Sequence, residues 1–187
     1  MAPAAVIALF LVRTVEMATR RGSVKGSVLH PGTWWALLLC GTAVVAAALA
    51  QYFLWPHPLN GAWFGAGLAV GLSSFALRGW AAAHLRAYWS MHIELRADHP
   101  LVQEGPYRWV RHPIYTAAAL ELLGAILMLQ SWWALVAFAV LFVPAVTVRI
   151  LLEERAMIAH FGGTYRTYMT NTPALVRFLP PGRSRAP

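Results

Sequence analysis

Long apolar blocks divided by short polar breaks set the pattern of this chain. Residues 33–55 form the clearest block, with Trp34, Trp35, Tyr52 and Trp55 at its ends, where interfacial aromatics are favoured. Crossing a bilayer takes about 20 apolar residues, and this block has the length. Residues 3–19 form a marginal first helix, with Arg13 and Glu16 spaced i, i+3 so that they can pair. A third block begins near Gly61, stays apolar to about Leu77, and is expected to continue as a helix through Arg78, His84 and Arg86 to about Tyr88. Its Gly61/Gly65 and Gly67/Gly71 pairs are small-xxx-small spacings that let helices approach closely in lipid. Residues 114–130 and 132–150 read as a helical hairpin turning at Gln130-Ser131. The pattern therefore predicts an all-α integral membrane protein of about five transmembrane helices. It is expected to form one membrane domain over 1–187, with helices 1–3 in 1–88, a functional core in 89–179 and a disordered tail at 180–187.

Composition supports the membrane reading. Only 12% of residues are charged and 59% are hydrophobic, whereas a soluble domain carries about 25% charged residues. The net charge of +8 forms no stripe and no nucleic-acid motif accompanies it, so nucleic acid is not an expected partner. The basic residues gather in 20–32, 78–113 and the tail after 149, and the links 56–60 and 130–131 have none. The positive-inside rule then puts those segments and the C-terminus in the cytoplasm and the N-terminus outside. The first apolar run precedes its charges, Arg13, Arg20 and Arg21, which reverses the order of a secretory signal peptide. Cys40 is the only cysteine, so no disulfide framework forms within one chain.

Chemistry concentrates in the polar stretch His99–Tyr115. Two His-Pro steps bracket it, at His99-Pro100 and His112-Pro113. A residue before proline is pushed out of helical geometry, and proline suits a first helical turn, so Pro113 is expected to open the following helix. Arg111 and His112 then stand at a helix N-terminus, a natural place for an anion. Further on, Arg149 and Glu153 lie one turn apart on a helix face at the same membrane depth. An anion site, a carboxylate and aromatic walls from Tyr107, Trp109 and Tyr115 suit a zwitterionic, cationic cofactor, and S-adenosylmethionine carries those charges. The plainer alternatives are an ordinary juxtamembrane loop and a routine helix salt bridge. Gly65, Gly67 and Gly71 have the wrong spacing for a dinucleotide loop, and His84, His92, His99 and His112 lack metal-ligand spacing, so no metal is expected. Glu121, in the middle of the fourth helix, is either a polar group of a substrate cavity or a buried partner for Arg13 or Arg78.

The ordered set HPLV, GPY, RHPIY, R-x-x-x-EE and FG-x-x-Y-x-x-Y, over about residues 92–172, resembles the isoprenylcysteine carboxyl methyltransferase family. The resemblance implies a membrane methyltransferase using S-adenosylmethionine in a cytoplasmic pocket formed by the 89–113 loop and the C-terminal tail. It implies cofactor contacts from His99, Pro100, Leu101 and Val102, from Tyr107, from His112, Pro113, Ile114 and Tyr115, and from Glu153. It implies an acceptor-carboxylate contact, with a catalytic role, at Arg149. At His92 the eukaryotic enzymes carry Gln; His can make an equivalent hydrogen bond there. The acceptor expected is a lipophilic or prenylated molecule entering from the bilayer, with Glu121 as a possible second contact. A carboxylate acceptor is ionised near neutral pH and needs no general base; a phenol or enol would need one. Two other readings stay open: an NADPH-dependent membrane reductase of the sterol reductase type, with Arg108 and Arg111 on phosphate, and a non-enzymatic membrane scaffold.

Overall fold

The computed structural model describes residues 1–19, 26–90, 92–95 and 100–175. Its helices are α1 (Ala2–Thr19), α2 (Gly32–Leu54), α3 (Gly61–Leu85), α4 (Pro113–Leu129), α5 (Trp132–Ala137), α6 (Val143–Phe161) and α7 (Gly163–Asn171). Two short strands, β1 (Ser27–Leu29) and β2 (Ile93–Leu95), pair antiparallel with Val28 opposite Glu94. Single-turn 3-10 segments lie at Arg86–Tyr88 and Gly105–Arg108. The predicted helices are thus present, with starts within a residue or two; α3 ends early at Leu85, where Arg86 takes a φ of 50°, and the last predicted helix runs past 150 to Phe161. The strand pair was not foreseen, because each strand is three residues inside a segment read as loop.

The core lies between α1, α2, α4 and α6, around Val6, Val44, Ala48, Leu122, Ile126, Met128, Leu129, Phe142 and Ile150. Helix α3 packs flat against α4 at a glycine crossing. A Cβ on Gly67 would lie 2.6 Å from the Gly124 carbonyl oxygen, and one on Gly124 would lie 2.8 Å from the Gly71 nitrogen. Glycine is required here because the neighbours are backbone atoms, which cannot move aside singly. Of the two glycine pairs in the sequence, Gly67/Gly71 makes this contact and Gly61/Gly65 faces open space.

Polar side chains close the end of the bundle away from the functional loop. Asn60 caps α3 by accepting from the Ala62 amide at 2.9 Å. Gln130 ends α4 in the left-handed region and exchanges two hydrogen bonds with the Asn60 backbone. Buried Gln51 of α2 accepts from the Ser131 hydroxyl at 2.8 Å and the Trp133 amide at 2.9 Å, which fixes the start of α5.

Helices α5 and α6 form one continuous rod through a π-helical turn at Phe138–Phe142. Pro144 follows after Val143. It offers no amide to the preceding turn, and a widened turn is one way a helix absorbs that loss. The extra residue rotates the later helix by about 100° relative to an unbroken α-helix. It thereby sets which face carries Arg149 and Glu153. Among the described residues two segments, Gly32–Leu54 and Trp132–Phe161, are long and apolar enough to cross a membrane. Their outward side chains include Leu39, Phe53, Leu54, Leu135, Val140 and Leu151, an apolar exterior that water would not favour.

Candidate active site

A cavity of about 190 Å³ opens where α1, α2, α4, α6 and α7 meet the 85–95 and 101–115 segments. His92, Leu101, Val102, Tyr107, His112, Pro113, Ile114, Tyr115, Arg149 and Glu153 line it together. Pro100 is exposed and does not reach the lining, and His99 lies outside the described residues. Glu121 does not line this cavity either. It is 5% exposed, bonded to the Arg78 guanidinium and 3.7 Å from Arg13, so the structure gives it the partner role rather than the cavity role.

Pro113 opens α4, and His112 stands before it in a non-helical conformation, as the His-Pro step requires. The His112 ring is held from both sides. Its Nε2 donates to Glu154 Oε1 at 3.1 Å, and its face stacks on Tyr115 with centroids 5.6 Å apart. Nδ1 is left toward Glu153, 3.8 Å away. Glu154 also receives Arg111 through Nε at 2.9 Å and Nη2 at 2.6 Å. Arg111 Nη1 donates to the Met169 and Thr172 carbonyls. The expected anion at the Arg111 helix start is therefore the chain's own Glu154. Arg111 is committed to it, and Arg108 is exposed outside the lining, so neither arginine sits ready for a cofactor phosphate.

Tyr115 joins the two α6 residues picked out in the sequence. Its hydroxyl accepts from Arg149 Nε at 2.7 Å and donates to Glu153 Oε2 at 2.6 Å. Arg149 is buried, also donates through Nη1 to Thr33 Oγ1 at 2.8 Å, and lies over the Tyr115 ring at 5.7 Å. A simple i, i+4 salt bridge thus does not describe the pair; a phenol from α4 stands between cation and anion.

The tail closes the site. The Arg111 and His112 amides donate to the Pro173 and Ala174 carbonyls at 2.9 and 3.0 Å, and Thr116 Oγ1 donates to Leu175 O. From α7, the Tyr168 hydroxyl donates to the Tyr107 carbonyl, and Tyr165 is 2% exposed. Burial pushes the Tyr168 phenol up to about 12, against an opposing pull from Arg111. Burial, reinforced by carboxylates, raises Tyr107 and Tyr165 further. All three are therefore neutral donors at neutral pH.

Three polar atoms on the lining are buried without a hydrogen-bond partner among the described residues: Trp89 Nε1, His92 Nδ1 and Tyr107 Oη. Leaving such a group unpaired costs about 1–3 kcal/mol, so three around one cavity point to a polar ligand. Sequence reasoning missed Trp89, three residues before His92, and also Trp34, Arg13 and Glu154. Only Glu154 had a usable signal, the second acid of the EE pair. Among the described residues no cluster of three or more His, Cys, Asp or Glu side chains forms.

A mostly helical bundle with an apolar exterior, one short strand pair and a tail-capped cavity defines a membrane-protein fold. The model of the isoprenylcysteine carboxyl methyltransferase (ICMT) family matches residues 67–159 of this chain. It is 33% identical over 109 residues to the uncharacterised protein YpbQ of Bacillus subtilis, covering 58% of this chain and 64% of that one. It is 30% identical over 83 residues to the protein-S-isoprenylcysteine O-methyltransferase of Schizosaccharomyces pombe, covering 44% of this chain and 35% of that one. Against protein-S-isoprenylcysteine O-methyltransferase B of Arabidopsis thaliana it is 35% identical over 89 residues, covering 46% of this chain and 45% of that one. The solved structure of a eukaryotic intramembrane Ras methyltransferase, ICMT, shares the fold at a TM-score of 0.61 and 20% identity, over 81% of this chain and 54% of that one. The chain thus spans less than two thirds of the length of these proteins.

Proposed function

We propose that this chain is a multi-pass membrane methyltransferase that transfers a methyl group from S-adenosylmethionine to the carboxylate of an isoprenylcysteine-like or other lipid acceptor. The observation that carries the reading is the meeting, inside the family-matched stretch, of the 101–115 segment and the Arg149/Glu153 face on one cavity, joined through the Tyr115 hydroxyl. The unpartnered Trp89, His92 and Tyr107 atoms fit a nucleoside, because an indole N–H needs an acceptor and a phenol can give or take. His92, His99, Pro100, Leu101, Val102, Tyr107, His112, Pro113, Ile114, Tyr115 and Glu153 would hold the cofactor, within a binding core over 89–179. Bound there, S-adenosylmethionine supplies an electrophilic methyl group on a sulfonium.

The chain's residues then bind and orient. Glu153 presents negative charge, and the Tyr115 face attracts cations. Arg149, with its fork of donors, takes the acceptor carboxylate. The nucleophile is ionised at neutral pH, so no side chain has to remove a proton. What remains for the protein is alignment and exclusion of water, which the tail over Arg111 and His112 serves. Helices α1, α2, α3, α4 and the α5–α6 rod would make the five spans, with site and C-terminus on the cytoplasmic side, following the basic segments.

Calorimetry on the purified full chain tests the cofactor. S-adenosylhomocysteine should bind and NADPH should not, and Glu153→Gln should weaken binding about tenfold or more through loss of one charge-assisted contact. Transfer of a radiolabelled methyl to lipids bearing carboxylate, phenol, thiol or amine groups tests the acceptor. Arg149→Ala should bind cofactor normally and transfer poorly. NADPH binding in place of S-adenosylhomocysteine would overturn the reading, and wild-type turnover in Arg149→Ala would remove the carboxylate acceptor.

A further inference from the structure

Besides Arg111 and Arg149, a third arginine faces the cavity, from outside the family-matched stretch. Arg13 is on α1 and lines the cavity, whereas the family match begins at residue 67. Its side chain is 14% exposed, and its ion-pair partner among the described residues is Glu121, at 3.7 Å. That contact is loose, and the same oxygen, Glu121 Oε2, is the one that Arg78 holds in a tight hydrogen bond. Arg78 is also within 3.7 Å of Glu16. Glu121 therefore has its main cation in Arg78, and Arg13 shares a charge already taken. A guanidinium carries five N–H donors; among the described residues Arg13 makes only this ion pair and a contact over the Phe10 ring at 5.3 Å. The other cavity arginines are more fully engaged, Arg111 by Glu154 and the tail carbonyls, Arg149 by Tyr115 and Thr33.

An arginine placed among apolar helices is costly and faces a partner or a cavity; Arg13 meets both. We propose that Arg13 is a specificity-determining residue, a second cationic contact that makes the cavity prefer an anionic lipid acceptor. In this arrangement Glu121 holds Arg13 loosely until an acceptor carboxylate competes for it. The proposal rests on the methyl-acceptor reading of the cavity and adds the first helix to Arg149 of the family-matched stretch as a source of acceptor charge preference.

The test uses direct binding by the full chain in nanodiscs, read by quenching of Trp34 and Trp89, which line the cavity. The probes are N-acetyl-S-farnesylcysteine and its primary amide, which differ only in the anionic group. The wild type should bind the acid more tightly than the amide. Arg13→Gln should lose about tenfold or more in acid affinity, the size of one charge-assisted contact, with amide affinity unchanged. Arg13→Lys should keep most of the preference. Glu121→Gln removes the competing anion and should raise acid affinity, an effect that a merely structural Arg13–Glu121 pair would not produce. Equal acid affinity in the wild type and Arg13→Gln, or no gain in Glu121→Gln, overturns the proposal. S-adenosylhomocysteine affinity is measured alongside in every variant. Its absence in the wild type counts against the methyltransferase reading, whereas its retention with no change in acid preference counts against Arg13 alone.

Discussion

Removing one oxygen, by Tyr115→Phe, should uncouple the two charged residues of α6. The hydroxyl accepts from Arg149 at 2.7 Å and donates to Glu153 at 2.6 Å, so its loss cuts two charge-assisted hydrogen bonds at once. The ring keeps its stacking on His112 and its place under Arg149, and Arg149 keeps Thr33, so the bundle should stay folded. A hydrogen bond to a charged group is worth about 1.5–3 kcal/mol. Glu153 is 27% exposed and can recover part of its loss from water, whereas Arg149 is 3% exposed and cannot. One full contact is therefore the expected net loss, about 10- to 150-fold in kcat/KM at 1.36 kcal/mol per factor of ten. The assay is a double-mutant cycle of Arg149→Gln and Glu153→Gln, run with Tyr115 intact and in the Tyr115→Phe background, reading methyl transfer and calorimetric cofactor affinity. With Tyr115 intact the coupling should be about 1 kcal/mol or more; without the hydroxyl it should fall to the 0.3–0.5 kcal/mol or so of an ordinary helix pair. Identical coupling in both backgrounds would refute the relay and restore a direct salt bridge.

Gly124→Ala should push α3 and α4 apart, because the new methyl meets Gly67 and Gly71 backbone at 2.8 Å. Overpacking of this kind costs about 1–3 kcal/mol, visible as a lowered melting temperature in detergent, while Gly65→Ala, which meets nothing within 4 Å, should be silent. In a Cys40→Ala background, Thr164→Cys should react with a membrane-impermeant thiol reagent from the cytoplasmic side and Pro58→Cys from the other; labelling of both from one side would defeat the five-span topology. The buried phenols predict an alkaline limit. Unfolded tyrosine loses its proton near pH 10, and native Tyr168 holds its proton up to about 12. The unfolded state therefore binds fewer protons in that window, and stability falls as pH rises through it. The melting temperature should be level below about pH 10 and decline above it; a level profile to pH 12 would contradict the burial of these hydroxyls.

The helices were legible because block hydrophobicity and Gly, Pro and Asn punctuation act locally. Asn60 before Gly61, Pro113 after His112 and Gly162 after Phe161 all mark real boundaries. The π turn was not legible, since Pro144 in an apolar run is compatible with a kink, a bulge or a break. The β1–β2 pair joins residues more than sixty apart through three-residue strands, which no periodicity can report. At the site, residue types and order picked out several of the side chains that share the cavity, among them His92, Tyr107, His112, Tyr115, Arg149 and Glu153. They misplaced Pro100 and Glu121, missed Trp89 and Arg13 on the lining, and did not reveal how the charges are shared. Arg149 and Glu153 are four apart and read as a pair; the intervening Tyr115 hydroxyl comes from another helix. Arg111 read as open to an external anion because no sequence spacing links it to Glu154, 43 positions later on another helix.

That last contact explains why the tail and the His-Pro motif form one unit. Glu154 Oε1 receives both Arg111 and His112, and Arg111 reaches past it to the carbonyls of Met169 and Thr172. The backbone amides of the same two residues hold Pro173 and Ala174. A chain that lacked Glu154 would leave Arg111 with a buried charge unbalanced and the His112 ring without its orienting acceptor. The guanidinium that reaches the tail carbonyls would lose the carboxylate that positions it at the same moment. Orientation of the ring that faces the cavity and closure of the cavity against water are consequently coupled through one carboxylate oxygen, which holds both His112 and Arg111. The adjacent Glu153 is spared that structural duty and keeps its charge toward the cavity. Two successive glutamates on one helix thus divide the work, one facing the protein and one facing the ligand space.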